Sequence, residues 1–249
     1  MVMKRSALEA LSHANRLART SLLLANPFAM AWDAAKVKRV ARMHLRDGTL
    51  IENVAGNYSL IDLVYEIFVK QVYCQQVTIQ AHDIVVDIGA NVGVFALYAA
   101  RKTSGAIFAV EPAPQLAAGL ARNLELNAMK NARVWRGALG GGAGTLALAD
   151  WDATAPIQSL PRFMDENQLA QIDFLKMDCE GAEGAVLQTT PLTYLKRVRK
   201  IALEFHDNAS SLEHTELARC LQAAGFAVWL RAKPGVPFGY LYAARRETT

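Results

Sequence analysis

Ile84-Val-Val-Asp-Ile-Gly-Ala-Asn-Val-Gly-Val-Phe95 is an apolar run that ends on an acid, passes through a glycine-bearing turn and becomes apolar again. Such a stretch reads as a buried strand, a sharp turn and the start of a helix. Gly89 and Gly93 remove side chains where backbone must approach a ligand, or where helix must pack closely on strand. Asp87 falls at the carboxyl end of the strand, the edge at which open α/β sheets bind ligands.

Downstream of this stretch the pattern repeats. Short apolar runs at Ile84–Ile88, Ala106–Val110, Arg133–Ala138, Ile172–Met177 and Ile201–Phe205 alternate with helical stretches at Val92–Arg101, Pro114–Asn127, Ala182–Gln188 and Ser211–Ala224. Strands apolar throughout and separated by helices predict a parallel sheet covered on both faces. Two last runs, Ala227–Arg231 and Tyr240–Ala244, are joined by a segment too short for a helical crossover, so they should pair antiparallel. The expected class is α/β: a Rossmann-like, mostly parallel sheet with a terminal antiparallel hairpin.

The second strand ends in Ala109-Val-Glu-Pro112, which places Glu111 24 residues after Asp87. A carboxylate at that tip can take both ribose hydroxyls of a nucleoside, a device that dinucleotide folds also use. The first turn distinguishes the cofactors. A dinucleotide fingerprint would require glycine at positions 91 and 94, which hold Asn91 and Val94. Asp87 would also repel a pyrophosphate. S-Adenosylmethionine has no phosphate and carries a sulfonium and an ammonium, so the acids favour it, with S-adenosylhomocysteine as product.

Val-Val-Asp-Ile-Gly-Ala-Asn-Val-Gly, Val-Glu-Pro, Phe174-Leu-Lys-Met-Asp-Cys-Glu-Gly-Ala-Glu183 and Ala202-Leu-Glu-Phe-His206, in that order, resemble the FkbM family of methyltransferases over roughly residues 60–210. The terminal hairpin likewise resembles the ending of the class I methyltransferase fold. The resemblance implies an O-methyltransferase acting on polyketides, sugars of glycolipids or related secondary metabolites. It implies that Asp87, Gly89, Asn91, Gly93 and Glu111 hold the cofactor, with Ala90 and Pro112 in the same turns. Gly137, Ala138 and Leu139 are implied to lie along the adenine.

At the reacting end, Asp178, Glu180 and Glu183 follow the fourth strand, and Glu204, His206 and Asp207 end the fifth. A hydroxyl is a poor nucleophile until its proton is accepted, and a neutral histidine or a carboxylate of raised pKa suits that task. His206 is the expected base or proton relay, Asp178 aligns the acceptor, and Glu204 completes the set. Asp178, Glu204 and His206 could instead hold a divalent metal, magnesium foremost. Gly181 and Gly184 are read as shaping the turn, and Cys179 as a packed residue. Glu66 and Tyr73 either close over the methionine end of the cofactor or cap the fold.

The chain has 249 residues, 52% of them hydrophobic, enough for one large domain with a small appendage. Residues 1–80 are expected to form a cap: an amphipathic helix over 6–24, a hairpin around Asp47-Gly48, and a helix over Asp62–Tyr73. Residues 81–249 form the Rossmann-like domain. Nine basic residues from Lys4 to Arg46 face only Glu9 and Asp33, so the net +4 of the whole chain is concentrated at its beginning. That basic arm leaves open peripheral contact with an anionic surface, or recruitment of RNA as the alternative acceptor. No basic stretch interleaved with aromatics supports nucleic acid, so a small-molecule or saccharide acceptor is preferred. Three widely spaced cysteines without a CxxC pair fit a reducing cytoplasm, no run is long enough to span a bilayer, and a homodimer is left open.

Overall fold

The computed structural model describes residues 14–25, 42–53 and 60–245. A seven-stranded sheet is its centre, in the order β11-β12-β10-β9-β3-β4-β5. These strands are β3 (Val85–Ile88), β4 (Ile107–Val110), β5 (Ala132–Trp135), β9 (Ile172–Met177), β10 (Val198–His206), β11 (Phe226–Arg231) and β12 (Phe238–Arg245). Only β12 is reversed, antiparallel to both β10 and β11. The expected mostly parallel sheet with a terminal antiparallel hairpin is the observed fold.

Alternate residues of the central strands enter opposite layers. Val85, Ala109, Phe174, Ala202 and Tyr242 face one apolar cluster, which contains helix Val94–Ala100 and part of helix Pro114–Leu126. Val86, Phe108, Leu175, Leu203 and Ala243 face the other, with helices Leu160–Glu166, Glu183–Thr189 and His214–Ala223. The chain runs from β3 outward through β4 and β5, then returns to place β9 on the other side of β3. The crevice beyond the carboxyl ends of β3 and β9 is therefore the switch point at which such sheets bind ligands.

The described residues before position 81 pack against this core. Met43, Leu45, Ile51 and Leu60 belong to the same cluster as Leu97 and Leu120. Strands β1 (Arg42–His44) and β2 (Leu50–Glu52) form the expected hairpin around Asp47-Gly48. The hairpin is clamped to helix Pro114–Leu126: Asn123 Oδ1 accepts from Glu52 N at 2.7 Å, and its Nδ2 donates to Glu52 O at 3.0 Å and Val92 O at 2.8 Å. Arg16 pairs with Asp62, Arg42 with Glu52, and Arg46 donates to Leu24 O at 3.1 Å. Part of the basic arm is thus spent on the fold itself; Lys4, Arg5, Lys36, Lys38 and Arg39 lie outside the described residues, as does the beginning of the helix expected over 6–24, of which residues 14–21 are helical.

Three elements differ from expectation. The helix expected over Asp62–Tyr73 is α-helical only at Leu60–Val64, then widens to a π turn at Tyr65–Val69, closed by Lys70 N donating to Tyr65 O at 2.8 Å. Gln71, in the left-handed region at φ 51°, breaks it before a 3-10 turn at Val72–Cys74. Strand Arg133–Ala138 stops at Trp135, and Ala138–Leu139 (β6) leaves to pair with Ala153–Gln158 (β8), which pairs with Gly144–Leu148 (β7) in a separate three-stranded sheet. β10 begins earlier than its apolar run because Arg199 and Lys200 are neutralised by Asp173 and Asp83, Lys200 Nζ lying 2.5 Å from Asp83 Oδ2.

Asn123 is fully buried, so truncating it strands backbone groups on both the hairpin and the Val92 turn. Asn123→Ala should destabilise the protein by about 2–3 kcal/mol, judged from the cost of unsatisfied buried groups, and urea unfolding followed by circular dichroism measures it.

Candidate active site

A cavity of about 580 Å³ opens at the carboxyl ends of β3, β4, β9 and β10, a size typical of small-molecule sites. Its floor is the turn after β3. Gly89 sits there at φ +76°, and a Cβ added to it would fall 1.7 Å from Asp178 O, so the loop after β9 excludes any side chain. Gly93, at φ +89°, has no place in the cavity wall; its missing Cβ makes room for Leu120 of helix Pro114–Leu126, 2.4 Å away. Of the two reasons for glycine in this turn, close packing holds at both positions.

Glu111 closes the turn from the second strand. Its Oε2 accepts from Asn91 N at 2.8 Å and its Oε1 from Ala113 N at 2.9 Å. Burial pushes this carboxyl above its ordinary range, against those two N–H donors. The free lone pairs face the cavity, which Gly89, Ala90, Asn91, Pro112, Gly137, Ala138 and Leu139 also line. Strand β7 and the turn after it add Leu146, Leu148, Asp150 and Trp151 to the wall, a contribution that the sequence reading does not contain. The alternating Thr-Leu-Ala-Leu of residues 145–148, followed by Trp151, was its only signal.

Asp87 is placed differently from expectation. It is 0% exposed and lies beneath the floor rather than in the wall. Its cross-strand neighbour in the β3–β9 register is Lys176, whose Nζ lies 3.0 Å from Asp87 Oδ1. Burial alone would depress the lysine, but Asp87 and then Asp178 outweigh it and keep the ammonium charged. Asp87 thus has a protein cation as its neighbour. Lys176, absent from the sequence-derived site, does line the cavity. Its signal was a lysine inside the otherwise apolar run Ile172–Met177, since a charge in a buried strand needs an opposite charge beside it.

At the reacting end the structure brings Asp178 and Glu204 together through Tyr73. The Tyr73 hydroxyl lies 2.8 Å from Asp178 Oδ2 and 3.3 Å from Glu204 Oε2, and its single proton serves one carboxylate at a time. Burial and the neighbouring Asp178 raise Glu204 to about 7. Burial also raises Glu66, which enters the same wall from the π turn. Of the two readings for Glu66 and Tyr73, both residues face the cavity.

His206 is not in that wall. Its Nδ1 lies 3.4 Å from Glu183 Oε1 and its Nε2 3.6 Å from Glu180 Oε2. The Glu183 carboxylate raises His206 to about 9, so the ring is an imidazolium at neutral pH and has no lone pair with which to accept a proton. That shift disfavours the neutral ring expected of a base. The expected metal set changes as well: the ligand atoms within 4.8 Å of one another belong to Asp178, Glu180 and His206, with Glu204 outside the group. Cys179 is a packed thiol that burial keeps protonated, as expected of a residue without a chemical role.

The sequence comparison adds to this geometry. The family model for the methyltransferase FkbM domain matches residues 87–228, from the first acid of the floor to the middle of β11. The chain belongs to the FkbM methyltransferase family. Methyltransferase 1 of Beauveria bassiana (strain ARSEF 2860) is 25% identical over 219 residues, covering 73% of this chain and 87% of the relative. Methyltransferase sdnD of Sordaria araneosa is 29% identical over 187 residues, covering 56% and 72%. The FkbM methyltransferase crystal structure from Methylobacillus flagellatus KT shares the fold, with a TM-score of 0.53, 16% identity, and coverage of 95% of this chain and 60% of that one. This member of the family is an enzyme, and S-adenosylmethionine is the cofactor that its fold takes. The residues present fit it: the cavity wall carries acids, which suit a sulfonium and would repel a pyrophosphate. Among the described residues, no helix is long and apolar enough to cross a membrane.

The His206 assignment has a pH signature. A histidine raised from 6.5 to about 9 in the folded state stabilises fully below pH 6.5 and loses that contribution as pH rises through 9. NMR titration of the His206 ring should give a midpoint near 9. His206→Gln should remove the corresponding loss of stability between pH 7 and 10 in urea unfolding.

Proposed function

We propose that this methyltransferase acts on a hydroxyl oxygen of an uncharged small molecule of the sugar, glycolipid or polyketide type, with Glu204 as proton acceptor. The observation that carries the proposal is a carboxyl held near 7 inside the cavity, one tyrosine hydroxyl away from a second carboxylate. A base with a pKa near the working pH combines the ionised state with useful basicity. S-Adenosylmethionine supplies an electrophilic methyl group on a sulfonium.

The residues divide the remaining work. Glu111 accepts from the ribose hydroxyls while its backbone donors keep it in place, and Gly137, Ala138 and Leu139 lie along the adenine. Asp178 accepts a hydrogen bond from a neighbouring hydroxyl of the acceptor and orients it. Tyr73 holds Asp178 and Glu204 at fixed separation, so that the acceptor meets two aligned oxygens and positioning contributes to the rate. His206, outside the cavity wall, faces Glu180 and Glu183 and does not exchange protons with the acceptor. Leu63, Ile67 and Trp151 provide apolar wall for the rest of the molecule.

Charge supports a neutral acceptor over RNA. Glu66, Glu111, Asp150, Asp178, Glu180 and Glu204 line the cavity, and its one lysine is already engaged by Asp87. A polyanion would have to approach these acids without a compensating cationic track.

Tritiated methyl transfer from S-adenosylmethionine, run across glycosides, polyketides and RNA, should label the hydroxylated small molecules and leave RNA unlabelled; labelled RNA alone would overturn the assignment. With the acceptor so found, kcat/KM should rise with pH through about 7 as Glu204 ionises. Glu204→Gln should lower kcat by about 100- to 1,000-fold, within the range for a lost general base, and leave S-adenosylhomocysteine affinity within about threefold. Glu111→Ala should weaken S-adenosylhomocysteine by at least about tenfold in calorimetry, the scale expected when a charged hydrogen-bonding partner is removed.

A further inference from the structure

Lys176 makes more contacts than a counter-ion of Asp87 requires. Its Nζ donates to Gly89 O at 2.7 Å and to Ile88 O at 3.3 Å, in the turn that floors the cavity. The same atom lies 3.9 Å from Asp178 Oδ2 and 5.2 Å from the centre of the Tyr73 ring. Ile88 O also receives Asp178 N at 3.0 Å, so turn and loop share one carbonyl. One buried ammonium therefore touches the floor under the donor and the pair of groups that face the acceptor. Its side chain is almost wholly buried, at 4% exposure, which leaves it no alternative partners in solvent.

We propose that Lys176 is a positioning residue for methyl transfer: by donating to the Ile88–Gly89 turn while facing Asp178 and Tyr73, it holds the cofactor floor and the reacting end in one geometry. Of the ammonium's three protons the turn carbonyls take two, with Asp87 Oδ1 beside it as the counter-charge at 3.0 Å. Removing it leaves Gly89 O and Ile88 O without their side-chain donor, and the turn gains freedom to move away from the bound nucleoside. The proposal holds whichever oxygen is methylated, because it concerns cofactor and loop rather than acceptor identity.

The test must separate donation to the turn from simple neutralisation of Asp87, and two double variants do so. Asp87→Asn with Lys176→Met removes the buried charges and the donor together. Asp87→Asn with Lys176→Gln removes the same charges but keeps an N–H₂ that can reach Gly89 O. Replacing a buried ion pair by neutral groups is often tolerated, so both should fold, as circular dichroism and urea midpoints will verify. Calorimetry with S-adenosylhomocysteine should show affinity reduced at least about tenfold in the methionine pair and recovered at least threefold of that loss in the glutamine pair. Equal affinities in the two folded pairs, or wild-type affinity in the methionine pair, would overturn the proposal. Should the methionine pair fail to fold, the folded glutamine pair is compared with the wild type instead: retained affinity within about threefold supports donation, and affinity as low as that of Glu111→Ala refutes it. Neither outcome depends on the identity of the acceptor, so failure here is distinguishable from failure of the O-methyl assignment.

Discussion

Asp87 and Lys176 face each other across the two central strands of the sheet, cut off from solvent, and neither could be there without the other. Removing one partner of such a pair typically costs about 3–5 kcal/mol, because the charge left behind has no hydration. The register between β3 and β9 is held by this constraint as well as by the ladder, since a slip of one residue would put the two charges on opposite faces of the sheet, each without its partner. The floor turn, the loop after β9 and the lysine meet at Ile88 and Gly89, so the position of the whole cavity follows from one polar pair in an apolar sheet.

Around that pair the acids are graded by their surroundings. Glu111 is tied by two backbone donors, Glu183 by an imidazolium and a backbone donor, and both are fixed. Glu204 has a shared tyrosine hydroxyl and no backbone donor given to it, and burial and the Asp178 charge outweigh the nearby His206, so its carboxyl rises to about 7. Chemically similar carboxyls thus acquire different functions from the number of donors that each is given.

Much of this arrangement was legible in the sequence, and the reasons for what was not are physical. Apolar runs with acids at their ends located β3, β4, β9 and β10 and put Glu111, Asp178 and Glu204 at the right edge, because a strand's burial and its length are both written in residue order. Lys176 escaped because periodicity treats a single lysine in a buried strand as noise, although Asp87 in the adjacent run was its complement. His206 was read as neutral because its charge depends on Glu183, which comes near it only when the loop after β9 folds against β10. The small sheet of β6, β7 and β8 escaped for another reason: its strands are half-exposed and short, so only the brief alternation at 145–148 marks it. Helix Leu160–Glu166 was missed although Ser159 and Pro161 signal its start.

The clamp between the β1–β2 hairpin and helix Pro114–Leu126 bears on where this protein ends as a physical object. Homology outlines a unit from 87 to 228, yet Tyr73 and Glu66 lie before it, β12 lies after it, and Met43, Leu45 and Ile51 complete its apolar layer. A fragment trimmed to the homologous segment would carry a wet hydrophobic face, an open sheet edge and an incomplete cavity wall. Evolutionary conservation and mechanical autonomy draw different borders here, and the second is the one that anyone excising, fusing or permuting this chain has to respect.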